Sequence, residues 1–202
     1  VGSEMCIRDR SSSMNVMRLA AEELEAENLV TVIDSANLST GIGLLVIEAA
    51  EMAQQGKSAA EITARIEELK PLVRASFVVD TLTYLYRGGR CSGLAALAGG
   101  ALKLHPRIGV EDGKMGPGKK YRGNMEKVVL SYVKDMEEAM KNARPERVFI
   151  THSGTAPEIV DKVRAYLNDL HVFREILETR AGGVVSSHCG PGTLGVLFIA
   201  KE

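Results

Sequence analysis

The sequence predicts an α/β protein. Segments with apolar residues at helical spacing alternate with short runs rich in β-branched residues, a pattern typical of helices packed on a sheet. The dipeptide Asp112–Gly113 lies between two short strand-like segments and predicts a β-hairpin, so at least one sheet is mixed or antiparallel. Hydrophobic residues make up 45% of the 202 residues and charged residues 25%, which are ordinary globular values.

The segment up to residue 70 predicts three helices and one strand. The first helix follows a serine cluster that is suited to cap it. Ser58 and Glu61 have the spacing of a capping box, which predicts the start of the third helix. In chain order, these elements are a helix over 14–26, a buried parallel strand over 29–33, a helix over 42–55 and a helix that ends before Pro71.

The segment from residue 71 onward predicts a longer alternation of strands and helices. An apolar run rich in Ala and Gly, residues 94–102, interrupts it. The predicted elements are a strand over 75–79, a helix over 81–86, hairpin strands over 107–111 and 114–116, a helix over 124–141, a strand over 147–151, a helix over 156–170, a strand over 172–178, a glycine-rich loop and a final apolar run over 194–200.

The composition excludes several classes of protein. Lys and Arg total 25 against 26 Asp and Glu, so the chain lacks the basic excess typical of a nucleic-acid binder. There is no Trp and aromatics are 4%, which argues against stacking platforms for bases. No apolar run reaches the roughly 18 to 20 residues that span a bilayer. The three scattered Cys fit neither a disulfide framework nor a zinc site, and predict a reducing compartment, the cytoplasm.

Familiar catalytic motifs are incomplete. The G-x-G that begins at Gly41 lacks its third glycine, because Val46 stands at that position. The four histidines do not have metal-ligand spacing, so we expect neither a metal nor a cofactor. Cys189 beside His188 admits a Cys–His nucleophile, but no third orienting group is evident. A small buried residue in a tight loop explains Cys189 as well.

Two glycine-containing loops have the residues of an anion site. In the first, Arg87 and Arg90 bracket Gly88 and Gly89, and Ser92 follows. Glycine lets the backbone approach a ligand closely, and the arginine fork matches a carboxylate or phosphate. A helix C-cap turn with solvated arginines is the ordinary alternative.

The second loop, residues 186–193, combines two serines, His188, Gly190, Gly192 and Thr193. A glycine–proline–glycine turn alone would be only a turn. The pairing of this loop with a basic glycine loop favours a site for one acidic group. An apolar channel lined by residues 94–102 beside that site would suit a fatty acid, although small residues also indicate close helix packing.

An ordered set of short stretches resembles the DegV family, which includes the fatty-acid-binding subunit of bacterial fatty acid kinase. The resemblance runs from about Ser11 to the C-terminus. Its stretches are VIDS (32–35), LLVIEAA (44–50), FVVDTL (77–82), YLYRGGRCSG (84–93), VEDGK (110–114) and HCGPGTLGV (188–196).

The resemblance implies a two-domain α/β protein with mixed sheets flanked by helices. Residues 11–70 would be the remainder of an incomplete N-terminal α/β domain, because the family's T-D-S motif and a later Thr-Ser pair are not found here. Residues 71–202 would be the lipid-binding domain. Residues 1–10 (VGSEMCIRDR) lack the apolar stretch of a signal peptide and resemble translated adapter sequence, so we expect them to be non-native.

The resemblance also implies the residues of the fatty-acid site. The histidine of the family's H-x-G-P-G motif falls on His188, and the second arginine of R-G-G-R falls on Arg90. The serine of S-G-T-Y aligns with Ser11, but its Gly, Thr and Tyr are replaced here. These three residues would bind the carboxylate. The surrounding ligand loops would consist of Gly88, Gly89, Ser92, Gly190, Gly192 and Thr193.

By the same resemblance, the chain is a non-catalytic carrier that presents its fatty acid to an ATP-dependent kinase. Residues 119–122 resemble the family's kinase-docking segment, and the resemblance implies that Arg122 takes part in docking. We expect no nucleic-acid partner and at most transient membrane contact. Two alternatives remain: an enzyme or phosphotransfer subunit on a related fold acting on a small acidic or polyol substrate, and a regulatory module that binds another small acid.

Overall fold

The computed structural model describes residues 12–89 and 104–202. Their helices are α1 (Ser13–Glu23), α2 (Thr40–Gln54), α3 (Ala59–Leu69), α4 (Thr83–Arg87), α5 (Met125–Asp135), α6 (Glu137–Lys141), α7 (Pro157–Asp169) and α8 (Gly183–Cys189). Their strands are β1 (Val73–Val78), β2 (Leu104–Glu111), β3 (Lys114–Arg122), β4 (Ala143–Ser153), β5 (Glu175–Arg180) and β6 (Thr193–Ala200).

The strands form one six-stranded sheet in the order β3-β2-β1-β6-β4-β5. The β4–β5 pair is parallel, and the other pairs are antiparallel. The hairpin predicted at Asp112–Gly113 joins β2 to β3, with Glu111 opposite Lys114. The expected mixed α/β architecture is therefore confirmed.

Helices cover both faces of the sheet. On one face α2 and α3 pack with Leu44 and Leu69 against the sheet, in a core that also contains Leu197. On the opposite face the core joins α5 and α7 to the sheet through Tyr132 and Val163. The final apolar run becomes β6, which is buried along its whole length between β1 and β4. A central strand covered on both faces requires such a continuous apolar sequence.

Helix α2 is also held to the sheet by ion pairs. Arg144 on β4 lies 3.2 Å from the carboxylate of Glu48, which is only 9% exposed. Arg147, on the same strand, pairs with Glu51 one turn further along α2. These contacts fix the helix whose first residue, Thr40, reaches the end of β4.

The predicted capping box at the start of α3 is confirmed. The Glu61 carboxylate accepts from the Ser58 backbone N–H at 2.9 Å, while the Ser58 hydroxyl accepts from the Glu61 N–H at 3.3 Å. The hydrogen bonds from the backbone and side chain of Ser58 lower the pKa of Glu61 to about 2.

Three predicted elements are wrong in detail. Residues 29–33 form no strand, because a parallel strand needs a partner and none of the described strands pairs with them. The predicted helix over 124–141 is two helices, α5 and α6, separated at Met136. Residues 183–189, predicted as loop, form α8. None of the helices in the described residues has both the length and the hydropathy to cross a bilayer.

Candidate functional site

The two predicted ligand loops meet where α4 and α8 pack together. Gly88 ends α4, and His188 lies in the last turn of α8. A Cβ atom added to Gly88 would lie 2.1 Å from Nδ1 of His188, so the imidazole rests directly on the glycine. The sequence separation of these residues is large, and the fold alone brings them together.

A second close contact fixes the loop that follows α8. Gly190 has φ +81, a left-handed conformation that other residues adopt at a cost. A Cβ atom at Gly190 would also lie 2.2 Å from the ring of Tyr84 on α4. Both backbone conformation and space therefore require glycine here, and Tyr84 sets the distance between α4 and α8.

The hydroxyls of the second loop donate to nearby backbone carbonyls. Ser186 donates to the oxygen of Ala181 at 3.0 Å, and Ser187 donates to that of Val184 at 2.8 Å. The buried Thr193 donates to the Cys189 oxygen at 2.9 Å. The two serine bonds lie in α8 and at its start, and the Thr193 bond joins the end of α8 to the start of β6, so the Thr193 hydroxyl can only accept from a ligand.

The other predicted residues of this site are placed as follows. Gly89 and Gly192 have positive φ, at 70° and 75°, and the Gly192 N–H donates to the Ser153 oxygen at 2.8 Å. Ser11, Arg90 and Ser92 lie outside the described residues, as does the apolar run 94–102.

Cys189 is unsuited to act as a nucleophile. The residue is 7% exposed, and burial raises the pKa of its thiol to about 12. The thiolate is the reactive form of cysteine, so a neutral buried thiol is inert at physiological pH. The described residues also contain no group of three or more His, Cys, Asp or Glu that could hold a metal ion.

The predicted docking segment lies at the end of β3. Lys119 pairs with Asp135 at 2.6 Å, and Tyr121 donates to the same carboxylate at 2.9 Å. Arg122 is exposed, and its guanidinium makes no ion pair with another described residue. The strand therefore presents Arg122 as a positive charge that no described residue neutralises.

The structure also shows a cavity of about 330 Å³ that the sequence did not indicate. Thr40 begins α2, while Thr151 and Thr179 lie opposite each other near the ends of β4 and β5. Their hydroxyls form a chain, with 2.5 Å between the oxygens of Thr40 and Thr151 and 3.0 Å between those of Thr151 and Thr179. Isolated threonines at strand ends are too common to signal such a cluster.

Known proteins share both the sequence and the fold. The model of the DegV family of uncharacterised proteins matches residues 8–201. A DegV domain-containing protein from Deinococcus radiodurans is 34% identical over 186 residues, covering 92% of this chain and 65% of that protein. The chain thus spans just under two thirds of the length of this relative.

Solved structures agree with this assignment. One is the structure of a DegV family protein from Thermus thermophilus that binds fatty acid. It is 29% identical to this chain and superposes with a TM-score of 0.85. The match covers 96% of this chain and 68% of the Thermus protein. The fatty acid kinase B3 protein of Streptococcus pneumoniae, whose structure was solved with linoleic acid, has the same fold. It is 21% identical to this chain, and the TM-score is 0.83. The match covers 96% of this chain and 69% of the Streptococcus protein. The chain belongs to the DegV family.

Proposed function

We propose that the chain binds one long-chain fatty acid and holds its carboxylate where α4 meets α8. The observation that carries this proposal is the contact between His188 and Gly88. The contact places the imidazole of His188 against Gly88, which has no side chain. Gly88 precedes Arg90 by two residues. Arg90, His188 and Ser11 are the residues we assign to the carboxylate.

The chemistry of these groups supports a carboxylate. Charge-assisted hydrogen bonds from an arginine or a protonated histidine to a carboxylate are roughly twice as strong as neutral ones. The absence of a side chain at Gly88 leaves room for the imidazole ring of His188. The Thermus thermophilus relative, described by its fatty acid binding, shares the fold at a TM-score of 0.85.

The acyl chain supplies most of the affinity in this proposal. Each buried methylene contributes about 0.8 kcal/mol, so affinity should rise steeply with chain length. We assign the contact with the alkyl chain to the apolar run 94–102.

We further propose that the chain is a cytoplasmic carrier without catalytic activity, which presents the carboxylate to an ATP-dependent kinase. The inert thiol of Cys189 supports a binding role, because it removes the nucleophile that a catalytic interpretation of this loop would use. The exposed charge of Arg122, which pairs with none of the residues in 12–89 and 104–202, supports docking of an acidic partner surface. In this proposal the carrier uses no metal, cofactor or nucleic acid, and its membrane contact is at most transient.

Lipid analysis tests the first part of the proposal. Wild-type chain purified from bacteria should release about one C14–C18 acid per molecule when it is denatured and examined by mass spectrometry. The His188→Ala variant should release much less. A correctly folded wild-type chain that neither carries lipid nor takes up added oleate would contradict the proposal.

Kinase turnover tests the second part. With fatty acid, ATP and a bacterial fatty acid kinase, Arg122→Ala should reduce acyl phosphate formation several-fold while bound lipid stays unchanged. Lys114→Ala is the matched control, because Lys114 is exposed at the opposite end of β3. Equal losses in both variants, or no loss in either, would remove the docking role of Arg122.

A further inference from the structure

The threonine cavity lies where α/β sheets commonly bind ligands. Strands β4 and β5 are parallel, and Thr151 pairs with Thr179 near their carboxyl ends. The loop after β5 then leads into α8. In sheets with parallel strands, ligands bind in the crevice outside the carboxyl ends of the strands. The cavity of about 330 Å³ occupies this position and is bounded on its other side by the start of α2.

The hydroxyls that line the cavity have donor capacity to spare. The chain from Thr40 through Thr151 to Thr179 contains two hydrogen bonds between three hydroxyls. Each hydroxyl donates one proton, so one donor of the chain remains unused. Ser39 also lines the cavity, and its side chain makes no capping bond to α2. Among the described residues, two hydroxyl protons are therefore free to donate into the cavity, one from the threonine chain and one from Ser39.

The charge of the cavity is positive. Arg180 is the last residue of β5 and the one charged residue among the described residues that line the cavity. Its guanidinium makes no ion pair or hydrogen bond with another described residue. The first turn of the 15-residue helix α2 adds a favourable field for an anion. No described carboxylate lines the cavity to compete for these donors.

A purely structural role explains only part of this arrangement. The Thr151–Thr179 pair is an ordinary cross-strand contact, and the bond to Thr40 ties α2 to the sheet. Those two bonds need neither a cavity nor an arginine beside them. A structural tie does not explain the open volume, nor the hydroxyl protons and the Arg180 charge that have no partner in the part of the chain that the structure describes.

We propose that this cavity binds a small oxyanion, a carboxylate or a phosphate, through Ser39, the threonine chain and Arg180. The residues of this site differ from those assigned to the fatty-acid carboxylate, although both sets include residues of α8. Val184 lines the cavity, and His188 follows four residues later, about 6 Å along the helix. Side chains four residues apart share a helix face, so the two proposed sites are neighbours, and variants of Arg180 and of His188 distinguish them.

Titration of inorganic phosphate and of acetate at constant ionic strength tests the proposal, with phosphorus NMR and calorimetry as readouts. Wild-type chain should bind at least one of the two with a Kd of roughly 1 mM or tighter. Saturation by phosphate alone identifies a phosphate ligand, and saturation by acetate alone identifies a carboxylate. No saturable binding of either anion would overturn the proposal.

Two variants locate the site. Thr151→Val keeps the side-chain shape but breaks the hydroxyl chain, and Arg180→Gln removes an exposed charge that pairs with no described residue. Each should weaken anion binding roughly tenfold, the ratio expected for one lost hydrogen bond to a charged group. Arg174→Gln, an exposed arginine just before β5, should leave binding unchanged. Equal affinity in Arg180→Gln and wild type would overturn the proposal even if Thr151→Val misfolds.

Discussion

The imidazole of His188 lies in the space that a side chain at Gly88 would occupy, with Nδ1 only 2.1 Å from the position of the missing Cβ. This contact joins the R-G-G-R loop to the H-C-G-P-G loop. It also makes Gly88 a residue whose substitution should act on the ligand site through His188.

Replacing Gly88 by alanine should displace His188. The backbone of Gly88 has φ −74, which alanine adopts readily, so the clash with the ring is the main effect. We expect fatty-acid affinity to fall at least tenfold, as measured with a fluorescent fatty acid. The control is Gly43→Ala inside α2, where the nearest atom to a new Cβ lies 3.8 Å away. An unchanged affinity in Gly88→Ala would show that the position of His188 does not matter for binding.

Replacing Gly190 by alanine should destabilise the protein. The new Cβ would meet the Tyr84 ring at 2.2 Å, and φ +81 is strained for alanine. We expect the free energy of unfolding in urea to fall by about 2 kcal/mol or more. Gly183→Ala, at the start of the same α8, meets no atom within 4 Å and should be nearly neutral. If the two variants unfolded at similar urea concentrations, glycine would not be required at position 190.

The buried hydroxyl of Tyr132 should contribute to the stability of the sheet. It donates to the Ser76 oxygen at 2.7 Å on β1 and accepts from the Val196 N–H at 3.0 Å on β6. Tyr132→Phe leaves these backbone groups unpaired in a dry interior. We expect a loss of about 1 to 3 kcal/mol in the free energy of unfolding. Tyr86→Phe is the comparison, because Tyr86 on α4 is 61% exposed; an equal loss there would contradict the assignment.

The buried thiol of Cys189 should make stability fall at alkaline pH. Burial raises the pKa of this thiol from 9.0 to about 12. The folded chain therefore keeps a proton that the unfolded chain releases, so stability from this residue is present below about pH 9 and declines above it. Between about pH 9 and 11, wild type should lose up to about 1.4 kcal/mol per pH unit more than Cys189→Ala. If the free energy of unfolding fell equally with pH in wild type and Cys189→Ala, this expectation would be wrong.

Much of the fold could be predicted because its signals are local. The capping box of Ser58 and Glu61, the Asp112–Gly113 turn and the apolar run of β6 each depend on a few neighbouring residues. The strand expected over 29–33 failed because its apolar pattern cannot specify a partner strand. Helix α8 was missed because its serines and glycines are typical of loops, and tertiary contacts with α4 outweigh that propensity.

The candidate site was predictable only in part. The sequence predicted that His188 and Gly88 belong to ligand loops, and that role stays a prediction; their contact depends on how α4 and α8 pack. The threonine cavity had no sequence signal, since Thr40 and Thr151 are 111 residues apart. Long-range pairings of this kind follow from sheet topology, which a linear pattern does not contain.

The most direct test of carboxylate recognition compares palmitic acid with its methyl ester. Both carry the same alkyl chain, so burial of the methylenes contributes equally, but only the acid offers an ionised carboxylate to His188 and Arg90, whereas the ester offers a neutral carbonyl oxygen. We predict that the wild-type chain binds the acid at least tenfold more tightly than the ester, and that this preference largely disappears in His188→Ala. Equal affinity of wild type for acid and ester would contradict the central claim.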